Sequence, residues 1–267
     1  MKYEHKPVKI FCVRKQWWAA LLTVLAVVSI FTIINHPKVV GAAATTRQLP
    51  IYSMDRGNEK LISISFDAAW GNEDTQALID ILDRYNVKAT FFAVGQWVDK
   101  YPESVKALHD AGHEVMNHSN THPHFPQMSV EQVAAELNAC NDKVEQVTGA
   151  RPTLVRLPYG DYDDASINTV RSLDMEPIQW SVDSLDWKGI SAEEITKRVL
   201  DKVEPGSIVL FHNAAEHTPE ALPGIIEQLL QEGYTFVPIS QLILPGEYGT
   251  DYQIDHTGKQ FAVQTNS

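Results

Sequence analysis

Residues 61–94 read LISISFDAAWGNEDTQALIDILDRYNVKATFFAV, and this stretch decides the fold class. It contains a β-rich run at 61–66, a helical pattern at 75–85 and a second β-rich run at 88–94. A strand, a helix and another strand in this order are typical of a parallel βαβ unit. The chain that follows repeats the same alternation, which predicts a single α/β domain.

Further strands and helices are predicted downstream. The strands lie near 113–118, 153–157, 177–182, 207–212 and 234–238, and the helices at 102–111, 130–147, 165–174, 192–203 and 219–231. Ser129 and Ser191 each stand three residues before a Gln or Glu, the capping-box pattern of a helix start. We therefore predict a distorted, incomplete (β/α) barrel with about seven parallel strands. An open doubly wound sheet is the competing architecture, but no Gly-rich nucleotide-binding motif follows the first strand.

The N-terminal region differs from the rest in charge and hydropathy. Residues 1–16 hold five basic residues and one acidic residue, a net charge of +4, which leaves −16 for the remainder of a chain whose total is −12. Eighteen uncharged residues follow, WWAALLTVLAVVSIFTII, close to the roughly twenty that a membrane helix needs. We predict a cytoplasmic basic tail at 1–16, a single transmembrane helix or uncleaved signal anchor at 17–35 and a linker at 36–58. Cleavage near Ala44, which would release the protein, is the alternative.

The domain itself is expected at 59–240, with a polar tail at 241–267. The positive-inside rule places this domain outside the cytoplasm. Its acidic balance excludes a nucleic-acid partner, because phosphate binding requires a basic surface. Cys12 and Cys140 fall on opposite sides of the predicted membrane, so no disulfide is expected.

Ionisable residues stand at the carboxyl ends of five predicted strands. They are Asp67, His118, Arg156, Asp183 and His212. Since the active sites of α/β barrels are built at the carboxyl ends of the strands, we expect these side chains to converge. His118 and His122 are four residues apart, a spacing that can direct two imidazoles at one metal ion.

Five motifs occur in order along the chain. They are Ser65-Phe66-Asp67, His118-Ser119-Asn120-Thr121-His122, Arg156-Leu157-Pro158-Tyr159-Gly160, Asp183-Ser184-Leu185-Asp186-Trp187 and Ile208-Val209-Leu210-Phe211-His212. Over about residues 60–240 the chain thereby resembles the polysaccharide deacetylases of the NodB-homology type, carbohydrate esterase family four. The resemblance implies a metal-dependent hydrolase that removes N- or O-acetyl groups from a polysaccharide. Within this family it resembles the membrane-anchored, sporulation-type peptidoglycan deacetylases, which implies a cell-wall polysaccharide as partner. The predicted N-terminal helix implies the membrane as a second partner.

The resemblance also implies roles for the ionisable residues. Asp67 would be the general base that takes a proton from the attacking water, held ionised and oriented by Arg156. His212 would be the general acid to the leaving amine, positioned by Asp183. This division suits amide hydrolysis, which needs an activated water and a protonated leaving nitrogen.

The remaining motif residues would bind metal and substrate. His118 and His122 would hold a divalent metal, with Zn²⁺ as the first expectation and Co²⁺, Ni²⁺ or Fe²⁺ as alternatives. The backbone N–H of Tyr159 would help bind the oxyanion. Trp187 and Leu210 would form the apolar wall that receives the acetyl methyl group.

One motif departs from the family pattern. Where two adjacent aspartates are usual, the second being a metal ligand, this chain has Asp67-Ala68. Alanine has no donor atom, so Asp67 itself, Asp74 or Glu73, or water would complete the coordination, or the metal would bind weakly. Three functions therefore stay open: a deacetylase of wall polysaccharide, foremost peptidoglycan, a catalytically impaired wall-glycan-binding protein, and an amidase acting on small amides.

Overall fold

The computed structural model describes residues 15–34 and 47–263. Helix α1 (Lys15–Ile34) belongs to an N-terminal unit, and the chain from Gln48 onward forms a second compact unit. In the described ranges, no helix combines the length and the apolarity that crossing a bilayer demands. The predicted transmembrane helix is therefore not supported. Ala44, Cys12 and most of the predicted basic tail lie outside the described residues.

A curled parallel sheet forms the centre of the second unit. In chain order the strands of this unit are β1 (Ser53–Met54), β2 (Leu61–Ala68), β3 (Thr90–Ala93), β4 (Glu114–Asn117), β5 (Leu154–Arg156), β6 (Glu176–Ile178), β7 (Val182–Asp183), β8 (Ile208–His212), β9 (Thr235–Phe236), β10 (Tyr252–Ile254) and β11 (Lys259–Ala262). The main sheet has the spatial order β6-β5-β4-β3-β2-β8-β7, all parallel, and β9 also pairs with β2. This curled half-barrel of seven parallel strands confirms the predicted incomplete barrel.

The six predicted helices are present in the second unit, together with two short helices at 95–100 and 239–242 that the sequence did not predict. They are α2 (Thr75–Arg84), α3 (Gly95–Lys100), α4 (Pro102–Asp110), α5 (Val130–Thr148), α6 (Asp164–Ser172), α7 (Ala192–Leu200), α8 (Thr218–Gln231) and α9 (Ile239–Leu242). Both capping boxes are present: the Ser129 hydroxyl accepts from the N–H of Gln132 at 3.3 Å, and the Ser191 hydroxyl from that of Glu194 at 3.2 Å. Each cap satisfies a backbone N–H that has no partner within the helix.

Strand β2 separates the core from the interior of the half-barrel. Ile62, Ile64, Phe66 and Ala68 belong to the apolar cluster that packs against the helices. The intervening side chains of β2, which include Asp67, point to the other face because successive residues of a strand alternate. Asp67 therefore faces the interior of the half-barrel, and Ala68 faces the core.

The run predicted as one strand at 177–182 is divided between the two edges of the sheet. β6 pairs with β5 at one edge, and β7 pairs with β8 at the other. Residues 179–181 cross between these edges, with the N–H of Ser181 donating to the carbonyl of Ile208 at 3.1 Å. The curl brings the edges close enough for three residues, which span at most about 11 Å, to connect them.

The segment predicted as a polar tail at 241–267 is instead largely structured. β10 and β11 form an antiparallel pair, and β11 pairs in parallel with β1. Tyr252 and Gln260 are buried, and Ile51, predicted to lie in a linker, is buried as well. The domain thus begins near Gln48. The C-terminal segment is ordered despite its polar composition, because it pairs with a distant strand and buries a few large side chains.

Candidate active site

A cavity of about 460 Å³ opens at the carboxyl ends of the strands. Its lining residues are Asp67, Trp70, His118, His122, Tyr159, Trp180, Asp183, Trp187, Leu210 and His212. Each residue that the motifs single out for metal, acid, base or acetyl binding therefore lines this cavity, except Arg156 and Asp74. A larger cavity of about 660 Å³ contains the first residues of β5 and β6, at the opposite ends of the strands, and none of these groups.

Asp67 is held by a buried arginine. Nη1 of Arg156 donates to Oδ1 of Asp67 at 2.8 Å, and Nη2 donates to the hydroxyl of Ser65 at 2.8 Å. The guanidinium is completely buried and lies 4.3 Å from the centroid of the Phe92 ring. Burial raises the pKa of Asp67, but attraction to His118 and Arg156 outweighs it and holds the pKa below its usual value. Asp67 is therefore an ionised carboxylate facing the cavity.

The two histidines stand on a short loop with unusual backbone geometry. Ser119 and His122 have φ angles of +65° and +60°, values that cost energy in residues other than glycine. The loop is held by Glu136 of α5, whose carboxylate accepts from the N–H groups of Asn120 at 2.9 Å and Thr121 at 2.7 Å. These contacts stabilise the conformation that brings the two imidazoles together.

The geometry of the histidine pair suits a divalent metal. Nε2 of His118 and Nε2 of His122 are 3.2 Å apart, close to the separation of about 3.3 Å for two nitrogens bound to one tetrahedral zinc. Nδ1 of His118 lies 2.7 Å from the carbonyl oxygen of Arg156. That carbonyl can only accept, so the proton is on Nδ1 and the lone pair of Nε2 faces the cavity. Burial lowers the pKa of both histidines, that of His122 to about 4, so both are neutral as ligands must be.

A complete protein-derived metal site is not formed. Throughout residues 15–34 and 47–263, no group of three or more His, Cys, Asp or Glu side chains is arranged to hold a metal ion. Oδ2 of Asp67 is 3.4 Å from Nε2 of His118, but the other oxygen of Asp67 is bound to Arg156. The residues present thus fit two positions of a metal ion, fewer than the three protein ligands that a catalytic zinc commonly has.

The other ligands weighed from the sequence lie elsewhere. Asp74 and Glu73 line a neighbouring cavity of about 610 Å³, and Oδ2 of Asp74 accepts from the N–H of Ala214 at 2.9 Å. Neither carboxylate lines the cavity of the histidine pair. Ala68, at the position of the usual second aspartate, packs into the apolar core. The structure therefore does not bring Asp74 to the histidines, because the turn after β2 directs it into the neighbouring cavity.

His212 is oriented by Asp186, not by Asp183. Nδ1 of His212 donates to Oδ1 of Asp186 at 2.8 Å, while Oδ2 of Asp186 accepts from the backbone N–H of His212 at 2.8 Å and the hydroxyl of Thr218 at 2.7 Å. Burial lowers the pKa of His212, but the hydrogen bond to Asp186 and the attraction of Asp67 outweigh it and raise that pKa. The raised pKa favours the protonated imidazole, whose Nε2–H can donate a proton.

Asp183 has a different task from the one predicted. Its Oδ1 accepts from the N–H of Leu185 at 2.9 Å, which closes a tight turn. Leu185 has a φ of +57°, and the chain then reverses so that Asp186 reaches His212. Asp183 thus shapes the turn that delivers the orienting carboxylate, although it also lines the cavity.

Aromatic and apolar side chains complete the walls. Tyr159 and Trp187 are 60% and 53% exposed, and Leu210 is buried beside them. The Tyr159 ring packs edge-on against His122 at 4.4 Å between centroids. Its φ of +61° marks the strained backbone that is common where a main-chain N–H serves a site.

Several residues of the site were not predicted from the sequence. Asp186 lies in the same motif as Asp183, and its position directly before Trp187 was the available signal. Ser65 bonds to Arg156, and Trp70 lines the cavity beside His212. Ser65 opens the first of the five motifs, which was the available signal, whereas Trp70 carried none that separates it from an ordinary loop residue.

Comparisons with known proteins agree with this site. The family model described as polysaccharide deacetylase matches residues 55–178. The peptidoglycan-N-acetylglucosamine deacetylase of Bacillus cereus is 32% identical over 189 residues, which are 69% of this chain and 69% of that protein. The peptidoglycan-N-acetylmuramic acid deacetylase PdaC of Bacillus subtilis is 35% identical over 185 residues, 69% of this chain and 39% of that protein.

Solved structures show the same likeness. The crystal structure of BA3943, a CE4 family pseudoenzyme from Bacillus anthracis, matches with a TM-score of 0.70 and 35% identity, covering 72% of this chain and 68% of that chain. The curated relatives are in part longer proteins: the chain spans 39% of the length of PdaC and 60% of that of a further Bacillus subtilis relative.

Proposed function

Because the chain belongs to the polysaccharide deacetylase family, we propose that it is a hydrolase that removes N-acetyl or O-acetyl groups from a cell-wall polysaccharide, with peptidoglycan as the substrate. Peptidoglycan is supported by the names of the two similar deacetylases. The polymer lies outside the membrane, so the activity is placed outside the cytoplasm. The narrower resemblance to sporulation-type members stays a prediction.

One observation carries this proposal: the carboxylate of Asp67 and the imidazole of His212, each oriented by a hydrogen-bonding partner, line the same cavity. The lowered pKa of Asp67 favours the carboxylate that can take a proton, and the raised pKa of His212 favours the imidazolium that can give one. Amide hydrolysis needs both, because the attacking water must lose a proton and the leaving nitrogen must gain one. Two titratable groups with pKa values pushed in opposite directions are typical of an acid and base pair.

Each neighbour has a defined part in this chemistry. Arg156 keeps Asp67 charged and pointed into the cavity, where Asp67 accepts the proton of the attacking water. Asp186 holds Nδ1 of His212, so that Nε2 donates to the departing amine. The N–H of Tyr159 contributes to binding the negative oxygen of the tetrahedral intermediate.

The acetyl group requires an apolar wall of its own. Trp187 and Leu210 line the cavity together with His212. A methyl group packed against these side chains is removed from water, which holds the carbonyl carbon between acid and base. We assign the acetyl methyl to this corner of the cavity.

A divalent metal is proposed at His118 and His122. Such an ion supplies a more acidic water and a polarised acetyl carbonyl. Because the protein supplies two histidine ligands and Asp67 is already bound to Arg156, the affinity for the metal ion is expected to be lower than at a three-ligand site. Zn²⁺ is the first candidate, and Co²⁺, Ni²⁺ or Fe²⁺ suit the same donors. Removal of either histidine should abolish metal binding.

Acetate release tests the proposal. Wild-type protein, stripped with a chelator and reloaded with Zn²⁺, is incubated with N-acetylated peptidoglycan, beside Asp67→Asn and His212→Gln. We expect acetate only from the reloaded wild type and a loss of at least 100-fold in both variants. His256→Gln, which removes an exposed histidine outside the cavity, serves as the control and should keep wild-type turnover. Glycan binding without acetate at any metal loading would refute the enzymatic proposal.

A glycan-binding protein without turnover is the second candidate. Two observations favour it: Ala68 replaces a metal ligand, and the chain resembles the pseudoenzyme BA3943. Retention of Asp67, His212 and their orienting partners counts against it, because a binding protein has no need of a charged acid and base. The acetate assay separates the two candidates.

A further inference from the structure

Trp70 is an exposed aromatic residue at the centre of the binding surface. It lies on the turn between β2 and α2 and is 47% exposed. Its indole is nearly parallel to the His212 imidazole, with ring centroids 5.7 Å apart and an interplanar angle of 16°. The indole thus lies beside the imidazole, and about half of the Trp70 surface remains open to solvent. Together with Tyr159 and Trp187, it makes three half-exposed aromatic rings around one cavity, a concentration that indicates ligand binding.

The backbone beneath Trp70 is held rigidly. Asn213, which is buried and directly follows His212, donates from Nδ2 to the carbonyls of Trp70 at 2.7 Å and Gly71 at 2.6 Å. Its Oδ1 accepts from the N–H of Ala69 at 3.2 Å. The carbonyl of Gly71 also accepts from the indole N–H of Trp97 at 2.6 Å. The exposed indole is therefore presented by an ordered turn, which lowers the entropy lost when a ligand packs on it.

Trp70 also connects two cavities. It lines the catalytic cavity and, with Gly71 and Asp74, the neighbouring cavity of about 610 Å³. Glu73 and Glu216 lie in that second cavity and can accept hydrogen bonds from hydroxyl groups. A molecule that extends beyond the acetyl group can pass over the indole from one cavity into the other. A small amide would fill the first cavity and leave this surface unused.

We propose that Trp70 is the platform on which the sugar next to the acetylated residue stacks, so that the substrate is a chain of at least two linked pyranoses. This inference rests on the proposed function. The apolar C–H face of a pyranose matches the flat indole, and the neighbouring carboxylates match its hydroxyls. The contact is made with the neighbouring sugar and not with the acetylated one, so it contributes more to binding and orientation of a polymer than of a single sugar.

Chain-length dependence tests the platform. Acetate release from chitotetraose, the linear tetramer of N-acetylglucosamine, and from N-acetylglucosamine itself is measured for wild type, Trp70→Ala and Trp70→Phe. We expect Trp70→Ala to lower kcat/KM about 10-fold more for the tetramer than for the monomer, chiefly through KM. Trp70→Phe should restore most of this difference. Leu230→Ala, which removes an exposed apolar side chain that lines neither cavity, should match wild type. An equal loss on tetramer and monomer would show that Trp70 acts on His212 instead, and no loss on the tetramer would also overturn the proposal.

Direct binding separates this inference from the proposed activity. Calorimetric titration of chitotetraose into wild type and Trp70→Ala needs no turnover. If wild type releases no acetate but Trp70→Ala raises the Kd for the tetramer about 10-fold, the platform stands and the catalytic proposal fails. An unchanged Kd in a folded Trp70→Ala protein refutes the platform whatever the activity.

Discussion

Replacement of Asp67 by alanine should leave the buried guanidinium of Arg156 without its charged partner. Arg156 is completely buried, and Asp67 is its charged partner at 2.8 Å. The oxygens that remain, Ser65 Oγ at 2.8 Å and the Gln179 carbonyl at 3.2 Å, are neutral, and a guanidinium cannot give up its proton. Breaking a buried ion pair by removing one partner costs about 3–5 kcal/mol. Because the Phe92 ring lies 4.3 Å from the guanidinium and retains some stabilisation, we expect a value near 3 kcal/mol.

The free energy of unfolding in urea measures this cost, in a cycle of Asp67→Ala, Arg156→Met and the double variant. Arg156→Met leaves a carboxyl group that can take up a proton, so its cost should be smaller at pH 5 than at pH 8. The double variant should lie close to wild type, since a buried ion pair can often be replaced by apolar groups at little cost. The expected coupling energy is therefore at least about 3 kcal/mol, since it is the cost of Asp67→Ala plus that of Arg156→Met.

Ser65→Ala is the matched control. It removes one hydrogen bond to the guanidinium but keeps the ion pair, so a loss of about 1.5 kcal/mol is expected. Asp67→Ala costing less than about 1 kcal/mol, or a double variant as unstable as the sum of the single changes, would refute the reasoning. The double variant should be folded yet inactive, which separates the role of Asp67 in stability from its role in catalysis.

Three further predictions follow from the hydrogen bonds and pKa values. Asp186→Asn should lower kcat for acetate release by about 10²- to 10⁴-fold, whereas Asp183→Asn should retain most of the activity because its amide oxygen can still close the turn. Equal losses in the two variants would contradict the role of Asp186 in orienting His212. Glu136→Gln should weaken Zn²⁺ binding in calorimetry and cost about 1–3 kcal/mol in thermal unfolding, and unchanged affinity would remove its role in holding the histidine loop. Burial lowers the pKa of His113 to about 4 from its ordinary 6.5, and its Nδ1 accepts from the N–H of Ala89 at 3.2 Å. As the pH falls, His113 therefore takes up a proton in the unfolded chain before it does so in the folded protein. The free energy of unfolding should then fall by roughly 2 kcal/mol from pH 7 to pH 5, and His113→Gln should make this decrease smaller.

Local patterns in the sequence determined most of the elements of this protein. The strands and helices from residue 61 to 238 follow from apolar periodicity, and two helix starts follow from Ser129 and Ser191, because both signals act within a few residues. The same alternation places Asp67, His118, Arg156 and His212 at strand ends, where a parallel sheet gathers them. The family motifs agree with this placement, and the likeness to polysaccharide deacetylases supports the proposal that the cavity is the catalytic site.

The tertiary structure alone decided which neighbours these groups have. Asp183 and Asp186 are three residues apart at one strand end, and only the reversal at Leu185 determines that Asp186 reaches His212. The run at 177–182 divides because the sheet curls until its two edges can share one segment. Likewise, the chain after residue 241 is structured by pairing with β1, about two hundred residues earlier. Such contacts depend on chain direction and on partners far away in sequence, which no local period encodes.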